Sequence, residues 1–427
     1  MTDAASDPSA ASGPMLAADG TSLRVSLRRA ERRQRIRAFL LVTPLLVFIT
    51  FSFILPIGDM LFRSVENEIV QETLPRTVTA LQDWESDGVN PPPEIIYQAF
   101  LADMKVAVAA KIHTRLGGRL NYEQTGMSSL FRKTNKRRIA KIDETMPLAP
   151  QFTAIDKDWG TPQAWAVIKT FSPTYTSGYF LAAADLKLTP DGVQKVDDLQ
   201  AIYIKLFMRT MILSITICGT CLLLGYPIAW LLANLPMRSA NMIMILVLLP
   251  FWTSLLVRTS AWKVLLQEQG VINDFLVWVG VVSDASRLVM INNQTGTVIA
   301  MTHILLPFMI LPLYSVMKTI PPTYLRAAKS MGANDWTAFW RVYFPQSVPG
   351  IGAGAILVFI LAIGYYITPA LVGGTSGTLI SNRIAYHISS SLNWGLAAAL
   401  GAILLVLVLA LYWAYDRIVG IDNVKLG

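Results

Sequence analysis

Six long apolar stretches alternate with polar segments along the chain, near residues 38–58, 205–234, 240–263, 297–318, 349–371 and 394–416. At 1.5 Å of rise per residue, about 20 apolar residues cross a hydrocarbon core of about 30 Å, so each stretch is predicted to be a membrane-spanning helix. The expected fold is an all-α membrane protein with about six transmembrane helices. The polar stretches then divide it: a tail over 1–37, a first span over 38–58, a large insert over 59–204, a five-helix core over 205–417 and a short tail over 418–427. Inside the insert, Glu94 to Leu116 is predicted to form one amphipathic helix.

A second polar island, residues 319–348, interrupts the core. Pro321 and Pro322 suit the first turn of a helix, so one is expected from about Thr323 that carries Arg326, Ala327, Ala328 and Lys329. Gly332 can adopt the left-handed conformation that ends it. Asn334 or Asp335 can then cap a second helix with Trp336, Phe339 and Trp340, and Pro345 is expected to close the unit. Small Ala327 and Ala328 permit a partner backbone to approach closely, and Trp336 and Trp340, at i and i+4, form one aromatic face.

The spacing Ala-Ala, three residues, Gly, nine residues, Val, one residue, Phe-Pro resembles the E-A-A loop of permease subunits in binding-protein-dependent ABC importers. That resemblance implies a cytoplasmic loop whose helix sits in a cleft of an ATP-hydrolysing subunit, with Arg326, Ala327, Ala328, Gly332 and Pro345 as the coupling residues. Arg326 occupies the position where the family carries glutamate, so any ion pair made there must be absent, reversed or supplied by other residues. Expected partners are a dimer of ABC ATPases, a second permease subunit, a periplasmic solute-binding protein and the lipid bilayer, in a bacterial inner membrane.

Composition agrees with a polytopic protein: 427 residues, 53% hydrophobic and 15% charged, with a mean hydropathy of +0.46. The net charge of +8 invites a nucleic-acid reading, but Arg24, Arg28, Arg29, Arg32, Arg33, Arg35 and Arg37 stand directly before the first apolar run. Anionic lipid and the positive-inside rule account for them, leaving no nucleic-acid partner and placing the N-terminus in the cytoplasm. The run is too long, and lacks a small-residue cleavage site, for a cleaved signal peptide. Residues 1–22, poor in large apolar side chains, are expected to be disordered. Counting crossings puts the 59–204 insert and the 264–296 loop in the periplasm. It puts the 319–348 loop and the C-terminus in the cytoplasm, with Arg238, Lys318, Arg326, Lys329, Arg341, Arg417 and Lys425. Long loops cross regardless of charge, so the basic cluster from Arg132 to Lys141 does not oppose this.

Catalytic chemistry is not indicated. There is no G-x4-G-K-[ST] phosphate loop and no H-E-x-x-H zinc pair, so no cofactor, no metal and no enzymatic activity of its own are expected; energy must come from another subunit or an ion gradient. Cys218 and Cys221, a helical turn apart in an apolar run, read as small core residues. His303 lies within the fourth span, either lining a path or satisfied by an interhelical hydrogen bond. Arg258 stands near the outer end of the third span among Thr253, Ser254, Thr259 and Ser260, and Pro369 with the glycines of the stretch Gly364 to Gly374 can break the fifth.

Three stretches, Gly225 to Trp230, Pro250 to Trp262 and Gly364 to Gly374, look like those of spermidine/putrescine-type permeases over roughly 205–420. A polyamine is a flexible polycation that aromatic faces and carbonyl oxygens can pass along, and Tyr226, Trp252, Tyr365 and Tyr366 are the aromatic path candidates beside Arg258 and His303. The spans carry almost no Asp or Glu, however, and Tyr365 stands where several polyamine members have an acid. Permeases for opines, amino-acid-like compounds, thiamine or iron stay open, as does a role of the insert in docking the binding protein. The alternative class is an ion-coupled secondary transporter or channel, which calls for intramembrane carboxylates and inverted repeats that the sequence does not display.

Overall fold

The computed structural model of the chain describes residues 23–419, with side chains from 31 to 417. The expected disorder of 1–22, and Lys425, lie outside the described residues. Two compact units are found, the first up to Phe62 and the second from Arg63 onward.

The first unit is one helical run. It begins at Leu23, continues through a π-turn at Thr50–Ile54 and stays helical to the end of the unit at Phe62. The basic segment 23–37 is therefore helix continuous with the first span, and that span outruns the expected limits of 38–58. Leu55 N–H bonds the carbonyl of Thr50, five residues back, directly before Pro56. A proline ring collides with the carbonyl four residues earlier in an α-helix, and a single π-turn relieves the collision without ending the helix.

In the second unit the insert has its own core. The single helix expected over 94–116 is two, Glu94–Ala109 and His113–Leu120, because the chain turns at Lys111, whose φ is 59°. An antiparallel hairpin, Leu186–Thr189 with Gly192–Lys195, also departs from the all-α expectation. Phe100 is the hub, with ring centroids 4.5 Å from Trp159, 5.0 Å from Trp165 and 5.3 Å from Phe152, all of them buried. The polar tips are satisfied inside: Trp159 Nε1 donates to Thr134 Oγ1 at 2.9 Å, and Tyr97 Oη donates to the carbonyl of Trp159 at 2.6 Å.

Carboxylates distant in sequence hold helix starts whose first N–H groups have no partner within the helix. Asp103 accepts from Thr77 N and Thr77 Oγ1 at 2.8 Å, Glu94 accepts from Leu148 N and Ala149 N, and Asp185 accepts from Tyr203 N at 2.9 Å and Ile204 N at 2.8 Å. Asp185 thus ties the insert to the first turn of the second span.

The remainder has four further helices long and apolar enough to span a membrane, Tyr203–Asn234, Gln294–Thr319, Asp335–Gly364 and Trp394–Arg417. The stretch expected as a straight third span is instead a bent pair, Met237–Trp252 and Leu255–Leu265, at 98°. Pro250 lies in the 3-10 turn before the bend, and Ser254 Oγ caps the helix after it by accepting from Val257 N. With the first helix, the described residues hold five long apolar helices, or six spans if the bent pair crosses as one. The helices at 203–234, 294–319 and 344–364 form a shared core around Ile217, Met309, Ile310 and Val358. Close approach uses small residues: a Cβ on Gly354 would lie 3.1 Å from the Met309 carbonyl oxygen, and one on Gly350 3.2 Å from Leu313 Cα.

Candidate functional site

The polar island folds as a two-helix knuckle. Its first helix, Pro322–Ser330, ends where Gly332 takes φ +90°. Gly332 N–H bonds the Lys329 carbonyl at 2.9 Å and Ala333 N–H bonds the Ala328 carbonyl at 3.1 Å, the two-bond closure that only a left-handed residue completes. Asn334, not Asp335, caps the next helix, its side-chain oxygen accepting from Thr337 N at 2.8 Å. Asp335 instead pairs with Lys329 across the turn.

Pro345 does not close the unit. The helix from Asp335 runs without interruption to Gly364, and Phe344 N–H bonds the Phe339 carbonyl in a π-turn immediately before the proline. This repeats the arrangement at Pro56. The 30-residue helix therefore extends about 45 Å as one lever from the knuckle to the far end of the span.

The two alanines divide between inside and outside. Ala328 is buried against the chain's own helices, while Ala327 and Arg326 are exposed, and Arg326 has no ion pair among the described residues. Tyr324, Met331, Trp336 and Trp340 are exposed as well, the two indoles 5.6 Å apart in a T-shaped contact. Beneath them Phe339 meets Tyr226 edge-on at 6.2 Å and Phe344 meets it tilted at 6.0 Å, and Tyr226 Oη lies 3.0 Å from Ser347 Oγ. Tyr226, a path candidate in the sequence, thus joins the second span to the root of the knuckle.

At the lever's far end the helix breaks after Gly364, at Tyr365–Tyr366, and restarts at Ile367. Pro369 lies in the first turn of the new helix, where a proline is tolerated, so it is not the breaking residue. Three candidates, Arg258, His303 and Tyr365, stand on elements that meet here. Arg258 stands on the helix Leu255–Leu265, whose Trp262 bonds His303 of the fourth span and whose Thr259 meets Thr368 of the helix after the break. The buried Nε of Arg258 has no hydrogen-bond partner among the described residues. Trp262 Nε1 donates to His303 Nδ1 at 3.0 Å, which leaves Nε2 as the N–H of a neutral ring. The interhelical bond offered as one reading of His303 is therefore present. Thr259 and Thr368, with hydroxyl oxygens 3.1 Å apart, fasten the bent pair to the restarted helix.

Trp252 and Tyr366 do not join this cluster through any ring contact and stay exposed, Trp252 at 75%. Sequence reasoning missed Trp262, Thr259 and Thr368. Thr259 and Trp262 fall within a stretch already singled out, but partnership across helices has no local signal.

Comparison with known proteins follows the same boundaries. The family described as "Binding-protein-dependent transport system inner membrane component" matches residues 223–419. The spermidine/putrescine transport system permease protein PotB of Escherichia coli is 34% identical over 223 residues, covering 52% of this chain and 80% of that protein. PotB of Haemophilus influenzae is 37% identical over 197 residues, covering 46% and 68%. A solved bacterial ABC transporter for alginate import superposes with a TM-score of 0.41 at 20% identity over 51% of this chain and 79% of that one, too loose a likeness to weigh in the assignment. The insert lies outside the family match, whereas the knuckle, the lever and the Arg258 cluster all lie within it, and the chain belongs to the inner-membrane permease components of binding-protein-dependent ABC importers.

Proposed function

We propose that this permease imports a polyamine, or a related small cationic or amino-acid-like solute, by alternating access driven through the knuckle. The carrying observation is the unbroken lever from Asp335 to Gly364, which has an exposed aromatic surface at one end and, at the other, the helix break at Tyr365 next to the elements that carry Arg258 and His303. An ATPase dimer engages Arg326, Ala327 and the Trp336–Trp340 face. Its closure on ATP displaces the knuckle, and the lever carries that displacement to the helix break, where the path opens toward the periplasm. A second, similar permease completes the path and a periplasmic binding protein delivers the solute. Both termini and the knuckle face the cytoplasm; the 59–204 insert and the 264–296 loop face the periplasm.

The names of the PotB relatives favour spermidine and putrescine. One observation favours a second solute class: Arg258 presents a cation to the candidate path, and the membrane-spanning part of the core supplies no carboxylate beside it, which suits a solute that bears a carboxylate. Uptake of labelled putrescine and spermidine by the complex purified with its ATPase tests the reading, with an amino-acid-like solute as competitor. ATP-dependent uptake of either polyamine is expected. Uptake by the chain without a nucleotide-hydrolysing partner would sink the mechanism, and uptake of the competitor alone would move the solute to the second class.

A further inference from the structure

The helix Val271–Trp278, in the loop between the bent pair and the fourth span, is turned inside out. Its one buried side chain is polar. Asn273 donates through Nδ2 to the carbonyls of Gln267 at 3.1 Å and Leu288 at 2.9 Å, and its Oδ1 accepts from Leu288 N at 3.0 Å. The exposed face is apolar instead: Val271, Phe275 and Trp278, with Val279 directly after the helix, fall at i, i+4, i+7 and i+8, and Trp278 is 81% exposed. The rings of Phe275 and Trp278 lie 6.0 Å apart, so the two form one surface. In water this orientation forfeits the stabilisation that burying the stripe would give; an apolar medium outside restores it. Gly280, with φ +81°, then ends the stripe, so Val281 stands on the loop that follows.

Short connections hold the helix beside the membrane. Leu265 ends the second arm of the bent pair, and the chain turns into the new helix at Gly270, where a Cβ would lie 2.7 Å from the carbonyl oxygens of both Val264 and Leu265. The turn leaves no slack. The arm itself exposes Leu256, Val257 and Val264, so exposed apolar residues run along the chain from the arm into the stripe. Charge stays at the edge of the helix: Arg287, on the returning loop, pairs with Asp274 at 2.7 Å and Asp284 at 2.8 Å and donates to the Glu268 carbonyl at 3.0 Å.

We infer that Val271–Trp278 is an interfacial helix that lies along the bilayer surface, with its stripe among the lipid acyl chains at the headgroup boundary and its Asn273 side packed on the protein. Tryptophan is enriched at that boundary, and an amphipathic helix there sinks about 5–10 Å into it. Lipid suits the stripe better than a protein helix does: the close seams of this chain use Gly350 and Gly354, whereas the stripe has nothing smaller than valine. The arm that carries Arg258 is thereby held at a fixed depth. Neither the solute nor the crossing of the bent pair enters the inference, because the helix adjoins the membrane in either topology.

Nitroxide labels read this through their collisions with oxygen, which concentrates in lipid, and with a nickel chelate, which stays in water. The full chain is placed in nanodiscs of phosphatidylethanolamine and phosphatidylglycerol, alone and assembled with its ATPase and second permease. Labels are introduced by Val271→Cys, Phe275→Cys and Trp278→Cys, with Ala285→Cys as the aqueous control, in a chain carrying Cys218→Ala and Cys221→Ala. Oxygen collisions are expected to exceed nickel collisions by roughly threefold or more at the three stripe positions in both samples, and to fall below them at 285. Val271→Cys leaves both rings in place, so it decides the matter if either ring variant folds poorly. Nickel collisions exceeding oxygen collisions at 271 would show a wet face and overturn the proposal. Exclusion of both reagents from the stripe in the assembled importer would show that another subunit covers it, and would overturn the proposal as well.

Discussion

Gly332 has room for a side chain, since a Cβ there would meet nothing within 4 Å, so its requirement is purely one of backbone sign at φ +90°. An L-residue in this conformation costs about 1–2 kcal/mol, less for Asn, whose side chain tolerates it, and most for a β-branched residue. Gly332→Asn is therefore expected to keep most uptake. Gly332→Val is expected to lose most of it and to leave ATP hydrolysis uncoupled while the chain still inserts, as read by uptake, phosphate release and membrane immunoblot on one preparation. Equal uptake by the two variants would remove the conformational argument. At His113, burial holds the imidazole below its ordinary 6.5. The folded insert resists protonation there, so this group's contribution to stability is complete above about pH 6.5 and is lost as pH falls toward the lowered folded value. Acid melting of the chain should show this limb, and His113→Gln should flatten it. Gly332 was legible in the sequence because a positive φ selects glycine. The capping carboxylates Asp103, Glu94 and Asp185 were not, because each acts on a helix start far from it along the chain.

At the scale of elements, both π-turns directly precede a proline, Pro56 and Pro345, and in both the helix continues. A proline in an apolar run reads as a stop, yet one extra residue in the preceding turn is enough to carry the helix past it. The fifth span instead stops at Gly364, one of the glycines the sequence offered as breakers, and Asn382 Nδ2, which donates to the Tyr366 carbonyl at 2.7 Å, and Ser381 Oγ, which bonds the Ile363 carbonyl, hold the opened backbone. The bent pair at 237–265 has the larger consequence. If it crosses the membrane, the knuckle shares a side with the N-terminus; if it re-enters, the count drops to five and the knuckle moves to the opposite side. Cysteine placed at Met331, 83% exposed, should react with an impermeant thiol reagent only after the membrane is opened, in cells where Val281→Cys in the 264–296 loop reacts directly. Direct labelling at 331 would mean that the pair does not cross.

The second unit has two large separate cores, one in the insert around Phe100 and one in the permease helices around Met309. Deleting a buried phenylalanine side chain typically costs about 3–5 kcal/mol. Phe100→Ala should therefore accelerate hydrogen exchange across Glu94–Ala109 and Pro162–Thr170 while the helices at 203–234 and 294–319 keep their protection. Equal loss in both regions would show that the insert and the permease helices unfold as one. The family match covers the permease core and leaves the insert's core uncovered.

The sequence alone determined the apolar segments, the basic flank, the knuckle with its glycine hinge and the lack of a phosphate loop. Each of these rests on local composition or on spacing within one element, where neighbours along the chain are neighbours in space. Only the tertiary structure decided that Ala328 turns inward while Ala327 stays out, that Tyr226 roots the knuckle, that Trp262 holds His303, and that Asn67 and Arg119 both meet Phe171. Those relations link residues tens to more than a hundred positions apart or depend on which face a helix buries. Packing selects them, and no stretch of chain encodes packing by itself.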